Sequence, residues 1–270
     1  MPDVGGPGLA SPGPIEFLSA PRGSEFPDEW YGLSTSDHFW FRWRLAATLR
    51  LLRDLSIPLS APLDCLEVGS GAGTLRDQVE AHTAWKVDIA DLNAEALRRA
   101  RPGRGRVLYY DVLEEKLPAT YDAVLVFDVI EHLDEVKPFL AASVRHLKPG
   151  GHLLINVPAL SWLYSVYDVT VGHRRRYNRQ SLARELDGLG LDLREVRYWG
   201  LTLVPLLLLR KAALKLRKLG PSEVIRAGFQ PPGRLANEAL SWLGQAETSL
   251  LGGHPPLGSS VMLLARRPER

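Results

Sequence analysis

The chain has 270 residues, 45% hydrophobic and 24% charged, a balance that excludes an intrinsically disordered protein. Thirty-three Lys and Arg stand against 31 Asp and Glu, a net charge of +2. No global field therefore draws the chain to nucleic acid, and any basic binding patch must be local. A single cysteine, Cys65, excludes an internal disulfide framework and any multi-cysteine zinc site.

Met1–Ser11 lacks the cationic start and apolar stretch of a signal peptide. With the lone cysteine, this gives a cytoplasmic expectation. Met1–Pro27 holds six prolines and five glycines and reads as a flexible leader with no chemistry. Asp37–Arg53 has the length and residue types of a helix, with a dense aromatic start at Phe39, Trp40, Phe41 and Trp43.

From Leu63 onward, short apolar runs alternate with helical segments, the mark of βαβ units and a parallel sheet. Strands are expected at Asp64–Val68, Trp85–Ile89, Val107–Tyr110, Ala123–Phe127, His152–Val157, Leu191–Tyr198 and Ser260–Ala265. Helices are expected at about Thr74–Ala81, after the cap residue Asn93, at about Glu135–Leu147 and at Gln180–Leu189. The expected fold is an α/β, Rossmann-like, seven-stranded and mostly parallel sheet with helices on both faces. A helical cap (28–60) precedes the core (63–199), and a helical insertion (200–258) precedes the last strand. The last strand makes 28–270 one domain.

Chemistry concentrates at the carboxyl edge of this sheet. Gly69, Gly71 and Gly73 follow the first strand, where absent Cβ atoms let a ligand approach the backbone and the next helix N-terminus faces an anionic group. The dinucleotide fingerprint would place its third glycine at position 74, which is Thr74. Asp88 is expected at the end of the second strand, Asp111 at the end of the third and Asp128 at the end of the fourth. A carboxylate at the second strand end can accept ribose hydroxyls. Four acids (with Glu67) and no Lys-Ser/Thr after the loop argue against a polyphosphate and suit a cofactor with a cationic centre.

These residues resemble the class I S-adenosylmethionine (SAM) dependent methyltransferases, on Leu66-Glu67-Val68-Gly69-Ser70-Gly71-Ala72-Gly73, Val87-Asp88-Ile89, Asp111, Phe127-Asp128-Val129-Ile130-Glu131-His132-Leu133 and Leu147-Lys148-Pro149-Gly150-Gly151. The resemblance implies SAM as cofactor. The backbone of Gly69, Ser70, Gly71 and Gly73 would meet its methionine end, Asp88 the ribose, and Asp111 with Val112 the adenine surroundings, with Glu67 and Ile89 as further cofactor contacts. Asp128 would lie near the transfer region. A bacterial subgroup is also resembled, through His38-Phe39-Trp40-Phe41, Gly172-His173-Arg174-Arg175-Arg176-Tyr177 and Pro256-Leu257-Gly258-Ser259. Members of that subgroup are associated with sugar, lipid or secondary-metabolite pathways, and the expected reaction is methyl transfer to a small-molecule or lipid- or sugar-linked acceptor, at oxygen.

An oxygen acceptor must lose a proton, a task suited to histidine. His173 is the expected base, with His132 the second candidate. Trp40, Arg176 and Tyr177 are the expected acceptor contacts, the alternative being that His173 and its arginines only brace the loop. Asp128, Glu131 and His132 have hard-metal ligand types and resemble the metal-linked stretch of ubiquinone-pathway O-methyltransferases, although the reading favours no metal. The alternative functions are a non-catalytic SAM-binding protein and a methyltransferase acting on protein or nucleic acid.

Within the insertion, Arg210, Lys211, Lys215, Arg217 and Lys218 fall in an arc of roughly 160° at about 100° per residue. Two roles are open for residues 201–219. One is a lid helix packed on the core with a solvated cationic face; the other is peripheral contact with an anionic membrane.

Overall fold

The computed structural model describes residues 14–21, 36–114, 116–117, 121–216, 220, 222–224, 232–251 and 254–269. Among the described residues eight strands form one sheet: β1 (Ile15–Phe17), β2 (Asp64–Val68), β3 (Lys86–Asp91), β4 (Val107–Tyr109), β5 (Tyr121–Phe127), β6 (Leu147–Pro158), β7 (Asp192–Trp199) and β8 (Ser260–Arg266). Their order is β1-β4-β3-β2-β5-β6-β8-β7. All pairings are parallel except those of β8, which runs antiparallel between β6 and β7. β8 joins the sheet only after the insertion, at the very end of the chain.

The helices are α1 (Phe39–Asp54), α2 (Thr74–His82), α3 (Ala94–Arg98), α4 (Val136–Arg145), α5 (Val166–Thr170), α6 (Arg179–Arg184), α7 (Val204–Leu216) and α8 (Arg234–Leu250). Central strands are apolar on both sides. Leu66, Val68, Val124 and Ile155 pack into one core cluster, while Cys65, Leu125, Phe127 and Leu154 pack into another with Trp43 of α1. That two-sided burial is what produces the near-continuous apolar runs in the sequence.

The structure corrects three expectations. The leader is not featureless: Ile15–Phe17 adds an eighth strand to the β4 edge, and Phe17 stacks on Tyr109 with ring centroids 5.3 Å apart. Its other residues, 1–13 and 22–27, lie outside the described residues. The second strand does not stop at Ile89 but runs to Asp91, because Ile89–Asp91 pair with Val107–Tyr109 of β4. Finally, Asp88 is therefore an interior strand residue and not a strand-end acid.

Two contacts, among several, hold the insertion closely to the core. At one of them, α8 crosses α1 so closely that a Cβ on Gly244 would lie 2.3 Å from Trp43 Cδ2. At the other, the Glu247 carboxylate accepts the backbone N–H groups of Gly200, Leu201 and Thr202 at 2.8–3.0 Å and the Thr202 hydroxyl at 2.9 Å. These are the donors that a helical start leaves without intrahelical partners.

Gly244→Ala isolates the close crossing. Helix propensity alone would favour alanine by about 1 kcal/mol, whereas overpacking against Trp43 costs about 1–3 kcal/mol. We expect packing to win, lowering the thermal midpoint by several degrees in circular dichroism. A midpoint at or above the parent's would show that the helices part at no cost.

Candidate functional site

One cavity of about 770 Å³ opens along the carboxyl edge of β2, β3, β4 and β5, reaching from the glycine loop to α7. Its wall begins at Glu67 and the loop Gly69-Ser70-Gly71. Gly69 has φ 74° and its missing Cβ would stand 2.4 Å from Val129 Cγ2, so only glycine fits. The loop is tied to the next strand: Gly69 N and Ser70 N donate to Ala90 O at 2.8 and 3.2 Å, and Gly71 N donates to Asp91 Oδ2 at 2.7 Å. The other Asp91 oxygen accepts Asn93 N at 2.7 Å. Asn93 in turn caps α3, as expected, by accepting Ala96 N at 3.0 Å.

Asp91, in place of the expected Asp88, is thus the acid that reaches the cavity at the end of β3. Asp88 does not line it. Its Oδ1 accepts Arg106 N, while Oδ2 accepts both Arg106 Nε and the Tyr121 hydroxyl, all at 2.8 Å. Burial and the adjacent Asp88 carboxylate push the Tyr121 hydroxyl well above its ordinary range. The signal for Asp91 was present in Val87-Asp88-Ile89-Ala90-Asp91-Leu92-Asn93: an apolar residue follows each of the first two polar positions before the cap.

Asp111 and Val112 line the cavity beyond Asp91, with Tyr110 and Leu113. The N-terminal arm braces this wall. Leu18 N and Ser19 N both donate to Tyr109 O, and the buried Ser19 hydroxyl accepts Asp111 N at 2.9 Å. Gly73, Ile89 and Tyr177 do not line the cavity. Gly73 is the N-cap of α2, and Ile89 and Tyr177 are core residues. Tyr177 joins the chain to β6 through its backbone, donating to Pro158 O and accepting Leu160 N, both at 2.9 Å.

At the middle of the cavity Asp128 adopts φ 58°, a left-handed conformation costly for a non-glycine residue. It is held there from three sides. Its backbone N donates to Asn156 O at 2.8 Å, its Oδ1 accepts Asn156 Nδ2 at 2.9 Å, and its Oδ2 accepts Arg44 at 2.6 Å. Arg44 is buried on α1, its guanidinium 5.0, 4.9 and 5.5 Å from the ring centroids of Trp40, Phe41 and Phe127. The dense aromatic start of α1 is thus explained: it encloses a cation that holds a strand-end acid. The sequence carried a hint, since Arg44 stands one helical turn after Trp40.

Burial pushes Glu67 up to about 8, against the opposing charges of Arg44 and Arg76. Its Oε2 accepts Arg76 N at 3.0 Å.

The far end of the cavity holds Glu131, His132, His173, Arg176, Tyr167, Leu207 and Arg210. His173 Nδ1 lies 3.0 Å from Asp168 Oδ1, the same oxygen that accepts Arg176 Nε at 2.7 Å. Asp168 is fully buried and also closes a capping box with Ser165 at the start of α5. Although burial alone would raise it, the hydrogen bonds and charges of His173 and Arg176 hold Asp168 well below the ordinary carboxylate range. An ionised Asp168 fixes the His173 proton on Nδ1 and leaves the Nε2 lone pair for the cavity. His132 packs edge-on to His173, centroids 4.8 Å apart, and burial, then the charge of His173, drives it down to about 3.

Glu131 is fully buried, its carboxyl 4.0 Å from His173 Nε2, and neither of its oxygens has a hydrogen-bond partner. Burial and the Asp128 charge push it well above the carboxylate range, so it is held protonated. In the unfolded chain it ionises at about its ordinary 4.5. A raised native value means stability that is complete below that pH and lost as pH rises toward the native value. Glu131→Gln, which mimics the protonated acid, is therefore expected to gain thermal stability over the parent as pH rises from 5 to 8. A gap independent of pH would show Glu131 ionised in the native state.

Among the described residues, one trio of possible ligand atoms lies within 4.8 Å of one another: Glu131, His132 and His173. This is not the expected set, because the Asp128 oxygens are taken by Arg44 and Asn156. A hard cation asks for several oxygen ligands, whereas this trio offers two imidazoles and one carboxyl group. The donor set does not fit Mg²⁺.

A family model described as "Methyltransferase domain" matches residues 40–196. A ubiquinone biosynthesis O-methyltransferase of Idiomarina loihiensis is 27% identical over 147 residues, covering 47% of this chain and 60% of that protein. A Mycolicibacterium smegmatis protein named "Probable S-adenosylmethionine-dependent methyltransferase" is 29% identical over 164 residues, covering 59% and 62%. The chain thus spans about three fifths of the length of these curated relatives. Among solved structures, phosphoethanolamine N-methyltransferase 2 of Haemonchus contortus with SAM superposes with a TM-score of 0.52 at 20% identity, covering 82% of this chain and 52% of that one. That similarity shows the fold.

Proposed function

Because the chain belongs to the methyltransferase-domain family, we propose that it transfers the methyl group of SAM to an oxygen of a small-molecule acceptor, with His173 taking the acceptor's proton. The observation that carries this reading is the Asp168–His173 pair, whose imidazole lines the same cavity as the glycine loop.

The residues present fit SAM. The loop Gly69–Gly71 leaves room at the backbone for the amino-acid end, and Asp91 stands where a carboxylate can accept ribose hydroxyls. Tyr110, Asp111, Val112 and Leu113 wall the adenine side. When bound, SAM supplies a methyl group already activated by its sulfonium. The chain's own residues then align the acceptor and move one proton.

Trp40, Tyr167 and Leu207 face the acceptor's apolar body, while Arg176 and Arg210 surround its polar group. This suits a free or a lipid- or sugar-linked acceptor. His173 Nε2 takes the hydroxyl proton as oxygen attacks, and Asp168 steadies the imidazolium that forms. The protonated Glu131 beside it adds no competing negative charge.

Methyl-labelled SAM offered with a cell extract, followed by mass spectrometry of the labelled product, tests the reading. A labelled small-molecule methyl ether, formed equally with a chelator present, is the expected outcome. Label on nitrogen or on a macromolecule would overturn the acceptor class. SAM binding with no labelled product in any fraction would make the chain a non-catalytic binder.

A further inference from the structure

The helix that walls the acceptor end of the cavity is apolar on both its faces. On the inner side of α7, Leu207 and Arg210 line the cavity and Leu214 is buried, with Arg210 4.3 Å over the Tyr167 ring. On the outer side Leu209 is 68% and Leu216 86% exposed, with Ala212 exposed between them. At about 100° per residue these three fall within roughly 60° of arc. Leu206 and Leu208 flank them, also exposed.

Of the five cations of the expected basic face, Arg210 lines the cavity and Lys215 is exposed, while Arg217 and Lys218 lie outside the described residues. Arg210 points inward, and the arc turned to solvent is leucine. A helix without a polar outer face is one that something apolar covers.

Two elements that contact α7 carry further exposed apolar residues. Trp162 is exposed on the neighbouring turn (Ser161–Leu163), to which Lys211 ties α7 by donating to Trp162 O at 2.5 Å. Val169 is exposed on α5.

Charge marks what the cover is. Residues 200–220 contain five Lys and Arg and no Asp or Glu. Lys215 is exposed on one flank of the leucine arc, where a long cationic side chain reaches headgroup phosphates while its stem lies on apolar surface, and Lys211 adds positive charge on the same flank. No helix among the described residues is long and apolar enough to cross a membrane, so contact would be with a surface.

We propose that the outer face of α7, with Trp162 and Val169 beside it, seats the protein on an anionic lipid bilayer. The inner face of the same helix then serves the acceptor end of the cavity, so that the mouth of the site lies against the membrane. The proposal goes beyond the methyl-transfer reading and does not depend on which group takes the proton.

Co-sedimentation of the full chain with vesicles tests it. Binding is expected to phosphatidylcholine vesicles that contain phosphatidylglycerol, and to fall at least several-fold on pure phosphatidylcholine or in high salt. The double variant Leu209→Glu/Leu216→Glu changes only exposed positions. It is expected to stay in the supernatant while keeping the parent's melting point and SAM affinity, and Lys211→Glu/Lys215→Glu to lose the preference for anionic vesicles. A parent that stays in the supernatant with both vesicle types would overturn the proposal, as would a leucine variant that sediments like the parent. A parent that ignores vesicles but dimerises in sedimentation equilibrium, through contacts the leucine variant breaks, would overturn it in favour of a second copy.

Discussion

Asp91→Ala is expected to weaken SAM binding severely in calorimetry, and Asp88→Ala to leave SAM affinity in place while lowering the melting point. On the proposed reading Asp91 accepts both ribose hydroxyls, and its removal also takes the 2.7 Å acceptors of Gly71 N and Asn93 N. Charge-assisted bonds of this kind contribute about 1.5–3 kcal/mol each, so the dissociation constant should rise about 10²–10³-fold. Asp88, by contrast, is buried and occupied by Arg106 and Tyr121. Its removal strands a buried hydroxyl and a partly exposed guanidinium, at a cost of about 2–3 kcal/mol, seen as a drop of roughly 5–10 °C. If Asp88→Ala lost SAM affinity without lowering the melting point, the ribose assignment would pass back to Asp88.

His173→Ala is expected to leave SAM affinity within about twofold of the parent and to lower kcat by about 10²–10⁴, the usual contribution of a positioned general base. The prediction separates the catalytic role from the bracing one. His173 N donates to Asp168 O and its carbonyl accepts the Tyr164 hydroxyl, and both backbone bonds survive the substitution. A purely structural histidine would thus move the melting point and KM more than kcat. Unchanged turnover would clear His173, leaving His132 as the second candidate. His132 is the poorer base on physical grounds, since burial and its neighbour hold it down to about 3 and such an imidazole has little affinity for a proton.

Much of the site was legible because it is local in sequence. The glycine loop, Asp111, Asp128 and the run from Glu131 to His132 each sit beside a strand end, and alternation of strand and helix puts all strand ends on one edge. His173 was legible for a related reason, standing in a polar aromatic loop directly after a strand on that edge. Asp88 was misread because strand ends are decided by pairing partners: β3 continues to Asp91 only because β4 is there to pair with it. For Arg44 the aromatic spacing hints at an enclosed cation, but nothing in α1 tells that it meets an acid 84 residues away.

The sequence by itself determined the α/β class, the order of the core elements and the cofactor chemistry of the carboxyl edge. These follow from periodicity and from residues adjacent in the chain. It also determined that the charge balance near zero conceals a basic insertion. Only the tertiary structure decided that the N-terminal arm is a strand bracing Asp111, that Asp168 carries the charge behind His173, and that Tyr177 is core. It also decided the orientation of α7. Hydrophobic periodicity states how apolar residues are distributed around a helix. Which arc faces the protein is fixed by what the core can bury, and here the core took Arg210 with Leu207 and left the leucines outside.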